Sequence, residues 1–116
     1  MTAHNRQTVL DLVQWNGPIN GLIAAARRIP ERVTPVVILD RTTAEAVLRK
    51  LLAGEAPLTD LTAWAEELHT REDVDIEPDH EDLLTQFLFE FSTSELFEPI
   101  TRELCNRWID ELRKNA

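Results

Sequence analysis

Apolar residues recur every three or four positions along most of this chain, which is the spacing that places them on one face of an α-helix. The clearest series follows Pro57 and consists of Leu61, Trp64, Ala65 and Leu68. This series predicts an amphipathic helix and leaves Glu66 and Glu67 for its polar side.

Two more helices are expected in the first thirty residues. The first covers about residues 6–15 and ends at the turn Asn16-Gly17-Pro18. The second has Asn20 as its N-cap and cannot extend past Pro30, because proline lacks the amide hydrogen that a helix interior needs.

Capping residues indicate three further helices. Thr42 and Glu45 form a capping box, and we expect that helix to end at Gly54. Asp79 and Thr101 are the predicted N-caps of the last two helices. The apolar series of these two are Leu83, Leu84, Phe87, Leu88 and Phe91, and Leu104, Cys105, Trp108, Ile109 and Leu112.

Residues 34–40 are ambiguous, because their β-branched apolar side chains suit a buried strand while no second strand is evident. We interpret them as a buried extended connector. A strand there would need a pairing edge, from residues 87–91 or from another subunit. The prediction is therefore an all-α fold: a single helical domain over residues 1–116, a compact bundle of five or six helices with one ambiguous extended segment at residues 34–40.

The formal net charge of -9 is concentrated in the middle of the chain. Residues 55–98 contain fourteen acidic residues and one basic residue, Arg71, whereas the segments on either side carry a small positive charge. This middle segment, residues 55–98, is called the acidic segment below, and it repels phosphate backbones and anionic lipids. We therefore expect neither a nucleic-acid nor a membrane partner, and predict a basic protein partner.

Cysteine content and the N-terminal residues predict a cytoplasmic protein. The single cysteine, Cys105, cannot form a disulfide within the chain, which favours a reducing compartment. The first residues lack the apolar stretch of a signal peptide, and no apolar run approaches the about 20 residues that span a bilayer.

The densest group of chemically active side chains lies in residues 72–82. A calcium-loop frame that starts at Asp73 fails, because Pro78 stands where the loop needs glycine and Leu84 where it needs glutamate. We therefore interpret the segment as a solvated acidic surface that binds a partner. Its predicted binding residues are Glu72, Asp73, Asp75, Glu77, Asp79, Glu81 and Asp82.

Catalytic and metal sites are not predicted. Cys105 falls within an apolar series, where it would be a packed hydrophobic residue rather than a nucleophile. Two Glu-x-x-His spacings, Glu66 with His69 and Glu77 with His80, resemble half of a di-metal site. The additional inward-pointing glutamates of such a site are missing from the apolar series, so we predict no catalytic residues, no metal ligands and no cofactor.

Two further groups of side chains have more than one interpretation. Phe89 points away from the apolar series of its helix, so it either lies under another segment or forms an exposed apolar contact. Arg27, Arg28 and Arg32 are expected to form a solvated basic face, with pairing to the acidic segment as the alternative.

A family resemblance is carried by the stretch EAVLRKLLAGE at residues 45–55, by Leu61, by Trp64-Ala65-Glu66 and by Arg71-Glu72-Asp73. In residues 43–112 the chain resembles a small bacterial family of acidic helical proteins, mostly uncharacterised, and colicin-type self-protective immunity proteins. The resemblance implies a compact protein that binds a basic toxin nuclease domain and covers its active site with carboxylates where substrate phosphates would lie. It carries over no individual residue.

Together these patterns predict a non-catalytic acidic binding protein, and the resemblance implies an immunity-type inhibitor that covers a basic toxin or nuclease partner. One alternative is a metal-binding enzyme or sensor that uses Glu66, His69, Glu77 and His80. Another is a helical oligomerisation or regulatory adaptor, and self-association stays open in all three cases.

Overall fold

The computed structural model describes residues 2–29, 37–97 and 99–114. In these residues the chain forms six α-helices, two short strands and one short 3-10 helix. The helices are α1 (Thr2–Val13), α2 (Ile19–Arg27), α3 (Arg41–Leu52), α4 (Asp60–Thr70), α5 (Glu81–Phe97) and α6 (Arg102–Lys114). The strands are β1 (Val37–Leu39) and β2 (Val74–Ile76), and the 3-10 helix spans Pro78–His80. This mostly helical architecture confirms the predicted fold class.

All six helices and both strands contribute apolar side chains to one hydrophobic core. The predicted apolar series of α4 and α6 are buried in full, so both amphipathic faces are confirmed. In the described ranges, no helix combines the length and apolarity needed to cross a membrane.

Five aromatic rings form the centre of this core. Trp64 of α4 stands between Trp15 and Phe87, with ring centroids 5.9 Å and 6.0 Å away. Phe87 also contacts Phe91 and Trp108 edge to face, at 5.1 Å and 5.4 Å. Aromatic pairs favour such tilted and edge-on arrangements, so these contacts fix how the turn after α1, α4, α5 and α6 pack together.

Strands β1 and β2 pair in parallel, which corrects the interpretation of residues 34–40 as an extended connector without a partner strand. The register joins Val37 to Val74, Ile38 to Asp75 and Leu39 to Ile76. Parallel neighbours need a long crossover connection, and α3 and α4 supply it. The proposed pairing residues 87–91 are part of α5 instead, and residues 34–36 lie outside the described residues.

The partner strand lies inside the acidic segment, where the sequence predicts no strand. Val74 is buried and Ile76 is half-buried, whereas Asp75 between them is exposed. This alternation has the period of two that a strand with one buried face requires. Acidic side chains therefore occupy the outer positions of a strand whose apolar positions pack on the core.

The junction between α1 and α2 differs from its prediction. Helix α1 ends at Val13, and Trp15 adopts φ 56°, a left-handed conformation that non-glycine residues seldom adopt. The ammonium of Lys50 donates to the carbonyl oxygen of Trp15 at 3.2 Å, which holds this turn against α3. Asn20 lies inside α2 and Pro18 precedes that helix, so the predicted Asn20 N-cap is wrong.

The ends of α3 are set by Asp40 and Gly54. Asp40 accepts a hydrogen bond from the Thr43 amide at 2.8 Å, so Asp40 is the N-cap and the predicted Thr42 capping box is wrong. Gly54 has φ 87° just after the helix, where glycine avoids the steric penalty of a side chain. The predicted stop at Gly54 is confirmed.

Helix α5 is longer than predicted and begins without Asp79 as its cap. Asp79 lies in the 3-10 helix, and α5 starts at Glu81. It continues to Phe97, six residues beyond Phe91, the last residue of its predicted apolar series. For α6 the prediction is confirmed, because the Thr101 hydroxyl accepts a hydrogen bond from the Leu104 amide at 3.1 Å.

Candidate partner-binding surface

Five of the seven predicted binding residues are exposed, and we call these five the acidic surface. It consists of Glu72, Asp75, Asp79, Glu81 and Asp82, and runs from the residues before β2 through the 3-10 helix to the start of α5. The other two, Asp73 and Glu77, make ionic contacts within the protein. The predicted segment therefore divides into carboxylates that hold the fold and carboxylates that face solvent.

The two-stranded sheet supplies one part of this exposed region. Asp75 is exposed, and its register partner Ile38 is 53% exposed, although both flanking pairs of the register face inward. Register partners lie side by side on the same face of a sheet. The solvent face of the sheet thus presents a carboxylate beside a large aliphatic side chain.

Glu77 is hydrogen-bonded to Arg41, the first residue of α3. One carboxylate oxygen accepts hydrogen bonds from the Arg41 amide at 3.2 Å and from Arg41 Nε at 3.3 Å. A carboxylate at a helix N-terminus is stabilised by the unpaired amides and the dipole of that helix. Glu77 therefore ties the end of β2 to the start of α3, and its charge is balanced within the chain.

Asp73 is 3% exposed and is held by Arg71, the single basic residue of the acidic segment. The guanidinium donates to both carboxylate oxygens, from Nε at 2.7 Å and from the second amino group at 2.8 Å. This two-pronged geometry is the strongest form of an arginine-carboxylate pair. The hydrogen bond that Arg71 donates to Asp73 is the largest of the effects that raise the pKa of Arg71.

Glu67 extends this contact into a four-residue ion network, which we call the arginine network: Arg27, Glu67, Arg71 and Asp73. Arg71 donates to one oxygen of Glu67 at 3.0 Å, and Arg27 donates to the other at 2.7 Å. Arg71 also donates to the carbonyl oxygen of Ala26 at 3.2 Å, near the end of α2. The network joins α2, α4 and the residue before β2.

The sequence pattern misassigns Glu67, which is 7% exposed rather than on a polar face. The spacing of Glu67 and Arg71 could have indicated this ion pair, because residues four positions apart on a helix lie close enough to pair. For the basic group, pairing of Arg27 with Glu67 fits the alternative interpretation, whereas Arg32 lies outside the described residues.

A cleft of about 360 Å³ opens beside the arginine network. Its charged lining is Arg27, Glu67, Arg71, Glu72 and Asp73. All of these except Glu72 are joined by the ion pairs of the network, so a charged ligand would compete with contacts that already hold the fold together.

The carboxylates of the acidic surface lack ion pairs within the described ranges, although Glu81 and Asp82 lie in the first turn of α5, where the helix dipole favours negative charge. None of its five carboxylates forms an ion pair with a described residue, and Arg41 and Arg71 are committed to Glu77 and to the arginine network. Like charges on one surface create a potential that attracts cations and repels anions. The arrangement is suited to long-range attraction of a basic surface.

The described residues contain no group of three or more histidine, cysteine or carboxylate side chains able to hold a metal ion. Glu66 and His69 are exposed on α4, and Glu77 is paired with Arg41. Cys105 is fully buried, and this burial raises the pKa of its thiol to about 11, so it stays protonated and packed as predicted. These positions offer no activated nucleophile.

Comparisons with known proteins find no match for this chain among protein-family models, curated proteins or solved structures.

Proposed function

We propose that this protein is a non-catalytic binding protein that recognises a basic protein through its acidic surface and blocks that partner's functional site. The observation that carries the proposal is the set of five exposed carboxylates without a described ion-pair partner. A partner that normally binds phosphate would present arginine and lysine side chains to them. Inhibition would then follow from carboxylates occupying the positions of substrate phosphates.

The separation of the acidic residues into internally paired and exposed groups supports this proposal. Asp73 and Glu77 hold the start and end of β2, so the exposed carboxylates between and after them stand on an ordered backbone. A surface that is ordered before binding loses less conformational entropy when the complex forms. The exposed Ile38 beside Asp75 adds an apolar contact at the same place.

The test begins with affinity capture from a lysate of the source cell, with the protein immobilised and eluted by rising salt. The neutralised variant combines Glu72→Gln, Asp75→Asn and Asp79→Asn, which are exposed positions. A matched control removes three exposed carboxylates elsewhere, by Glu55→Gln, Glu66→Gln and Asp110→Asn. Both variants change the net charge equally, so only the location of the charge differs.

A captured protein is then purified, and its association rate and its own activity are measured with each variant. We expect the association rate with wild type to fall steeply as salt rises, and to fall at least about tenfold in the neutralised variant. The control variant should bind nearly as wild type does, and the partner's activity should decrease in step with complex formation. Equal losses in both variants, or salt-independent binding, would refute the proposal.

A further inference from the structure

Helix α5 carries a second recognition feature on the face opposite the core. Phe89 is 54% exposed, although Phe87 and Phe91 on either side of it are fully buried. The residues that share its face are Asp82, Thr85, Gln86 and Thr93, and with Phe89 they form what we call the α5 stripe. Asp82, Thr85 and Gln86 are exposed as well.

Two hydroxyl groups next to Phe89 are hydrogen-bonded to the backbone. Ser92 and Thr93 both donate to the carbonyl oxygen of Phe89, at 3.0 Å and 2.7 Å. Each hydroxyl proton is therefore donated to the backbone of α5. Phe89 is therefore an exposed aromatic ring on a helix face whose other residues are polar.

Asp82 and Phe89 stand seven residues apart on this face. Seven residues are two helical turns, so the carboxylate and the ring are separated by about 10 Å along the helix axis. A second helix packed alongside α5 repeats its own side chains at the same interval. Such a helix could place a cation against Asp82 and an apolar side chain against Phe89 at once.

We propose that the α5 stripe docks an amphipathic basic helix of the partner, with Phe89 as the apolar anchor and Asp82 as the charged contact. This inference rests on the proposed function, because the exposed carboxylates of the acidic surface, which form no ion pair with a described residue, select a cationic occupant. It assigns two roles to two residues. Asp82 accelerates encounter and Phe89 slows dissociation, since apolar anchors at the centre of an interface dominate its lifetime.

The test uses two synthetic helical peptides with identical lysines. One carries a leucine two turns from a lysine, and the other carries glutamine at that position. Affinities of both labelled peptides are measured by fluorescence anisotropy at low and high salt. We expect wild type to bind the leucine peptide about tenfold more tightly, which corresponds to a well-packed apolar contact.

Three variants separate the two roles. Phe89→Ala should abolish the preference for the leucine peptide and keep the salt dependence. Asp82→Asn should weaken both peptides equally and reduce the salt dependence. Gln86→Ala, an exposed position on the same stripe, is the matched control and should retain the preference. Thermal melts of all four proteins verify that each variant remains folded, as expected for exposed side chains.

Equal affinity of wild type for both peptides, or a preference that survives Phe89→Ala, would overturn the inference. Concentration-dependent dimerisation of wild type that Phe89→Ala abolishes would assign the stripe to a second copy of the chain and overturn it as well. Neither result decides the outcome of the lysate capture, whose neutralised variant changes residues 72, 75 and 79. Capture that salt reverses, combined with no leucine preference, would refute this inference and leave the proposed function standing.

Discussion

At the residue scale, Arg71 has the largest structural role of any charged side chain in the described regions. Its side chain is 12% exposed and contacts Glu67 and Asp73, whose side chains are 9% and 2% exposed. Three partly desolvated charges are tolerable only as a group, since each offsets the solvation that the others lose. Removing the arginine would leave Asp73 without its cation and Glu67 with the exposed Arg27 alone.

We therefore expect Arg71→Met to lower the free energy of unfolding by about 3–5 kcal/mol, the range seen when one partner of a buried ion pair is deleted. Urea denaturation at neutral pH measures it. Arg27→Met is the matched control, because its side chain is 68% exposed and reaches only the outer oxygen of Glu67, so the loss should be far smaller.

A compensated variant decides whether the loss comes from charge. Arg71→Met combined with Glu67→Gln and Asp73→Asn removes the stranded charges together with the arginine, and should recover part of the stability. If the triple variant is as unstable as Arg71→Met alone, the arginine acts through packing of its aliphatic stem rather than through its charge.

Cys105 gives the fold a dependence on alkaline pH. Burial raises the pKa of its thiol from the ordinary value of 9.0 to about 11. In that interval the unfolded chain loses a proton that the folded protein retains, so ionisation favours the unfolded state. The stabilising contribution is fully present below pH 9 and is lost as the pH rises toward 11, by up to about 1.4 kcal/mol per pH unit.

The corresponding experiment compares the pH profiles of wild type and Cys105→Ala by urea denaturation. The alanine variant starts from lower stability because it leaves a void in the core, so the slopes are compared rather than the absolute values. Wild type should lose stability more steeply than the variant above pH 9. Parallel profiles would show that the thiol does not titrate differently in the two states.

At the element scale, Asp40 and Thr42 are the two candidate N-caps of α3. Asp40 bonds the Thr43 amide, whereas Thr42 is an exposed residue inside the helix. Asp40→Ala should therefore cost about 1 kcal/mol of stability, the usual value for losing an N-cap. Thr42→Ala should be neutral or slightly stabilising, because alanine has the higher helix propensity. The reverse ranking in thermal melts would restore the capping box as the true start.

Helices were predictable where one face alone carries apolar side chains. The series of α4 and α6 fixed both the position and the buried face of each helix, because burial of a stripe requires no information from distant residues. Caps were predicted less well, since Thr42 and Asp40 both have suitable side chains and only the backbone geometry at Asp40 selects between them.

Features that depend on contacts between distant segments escaped prediction. Strand β2 is short and lies among acidic residues, and its pairing with β1 joins positions separated by two helices. Glu67 occupies a position that a helical wheel assigns to solvent, and only Arg27 and Arg71 make its burial favourable. Composition alone identified the acidic segment. It could not show which carboxylates are paired within the protein and which are exposed, because that depends on the positions of partners such as Arg27 and Arg71.

At the scale of the whole molecule, the charge distribution opposes folding. The net charge is -9, and the acidic surface contributes five exposed carboxylates that form no ion pair with a described residue. Of these five, Glu72 lines a cleft with Arg27 and Arg71. The three residues of the control variant all have cationic neighbours. Glu55 lines a cleft with Lys50, Glu66 interacts with Arg27, and Asp110 lines a cleft with Arg49 and Arg113.

The neutralised variant of residues 72, 75 and 79 should accordingly be more stable than wild type, by about 0.5 kcal/mol or more at low salt, because it relieves repulsion between like charges. The control variant of residues 55, 66 and 110 should gain nothing or lose stability, since it removes attractive contacts. Both differences should vanish near 1 M salt, where charges are screened within about 3 Å. Melting temperatures at low and high salt measure these effects.

The stability cost of the acidic surface is linked to function, because a group of like charges that lowers stability is retained where activity requires it. Recognition residues must remain unpaired until the partner arrives, and unpaired like charges repel one another in the free protein. A gain confined to residues 72, 75 and 79, together with loss of partner binding in the same variant, would link the two properties at one surface. If neutralisation leaves stability unchanged at low salt, the carboxylates are too well solvated to repel one another, and their value to a partner must come from direct contacts alone.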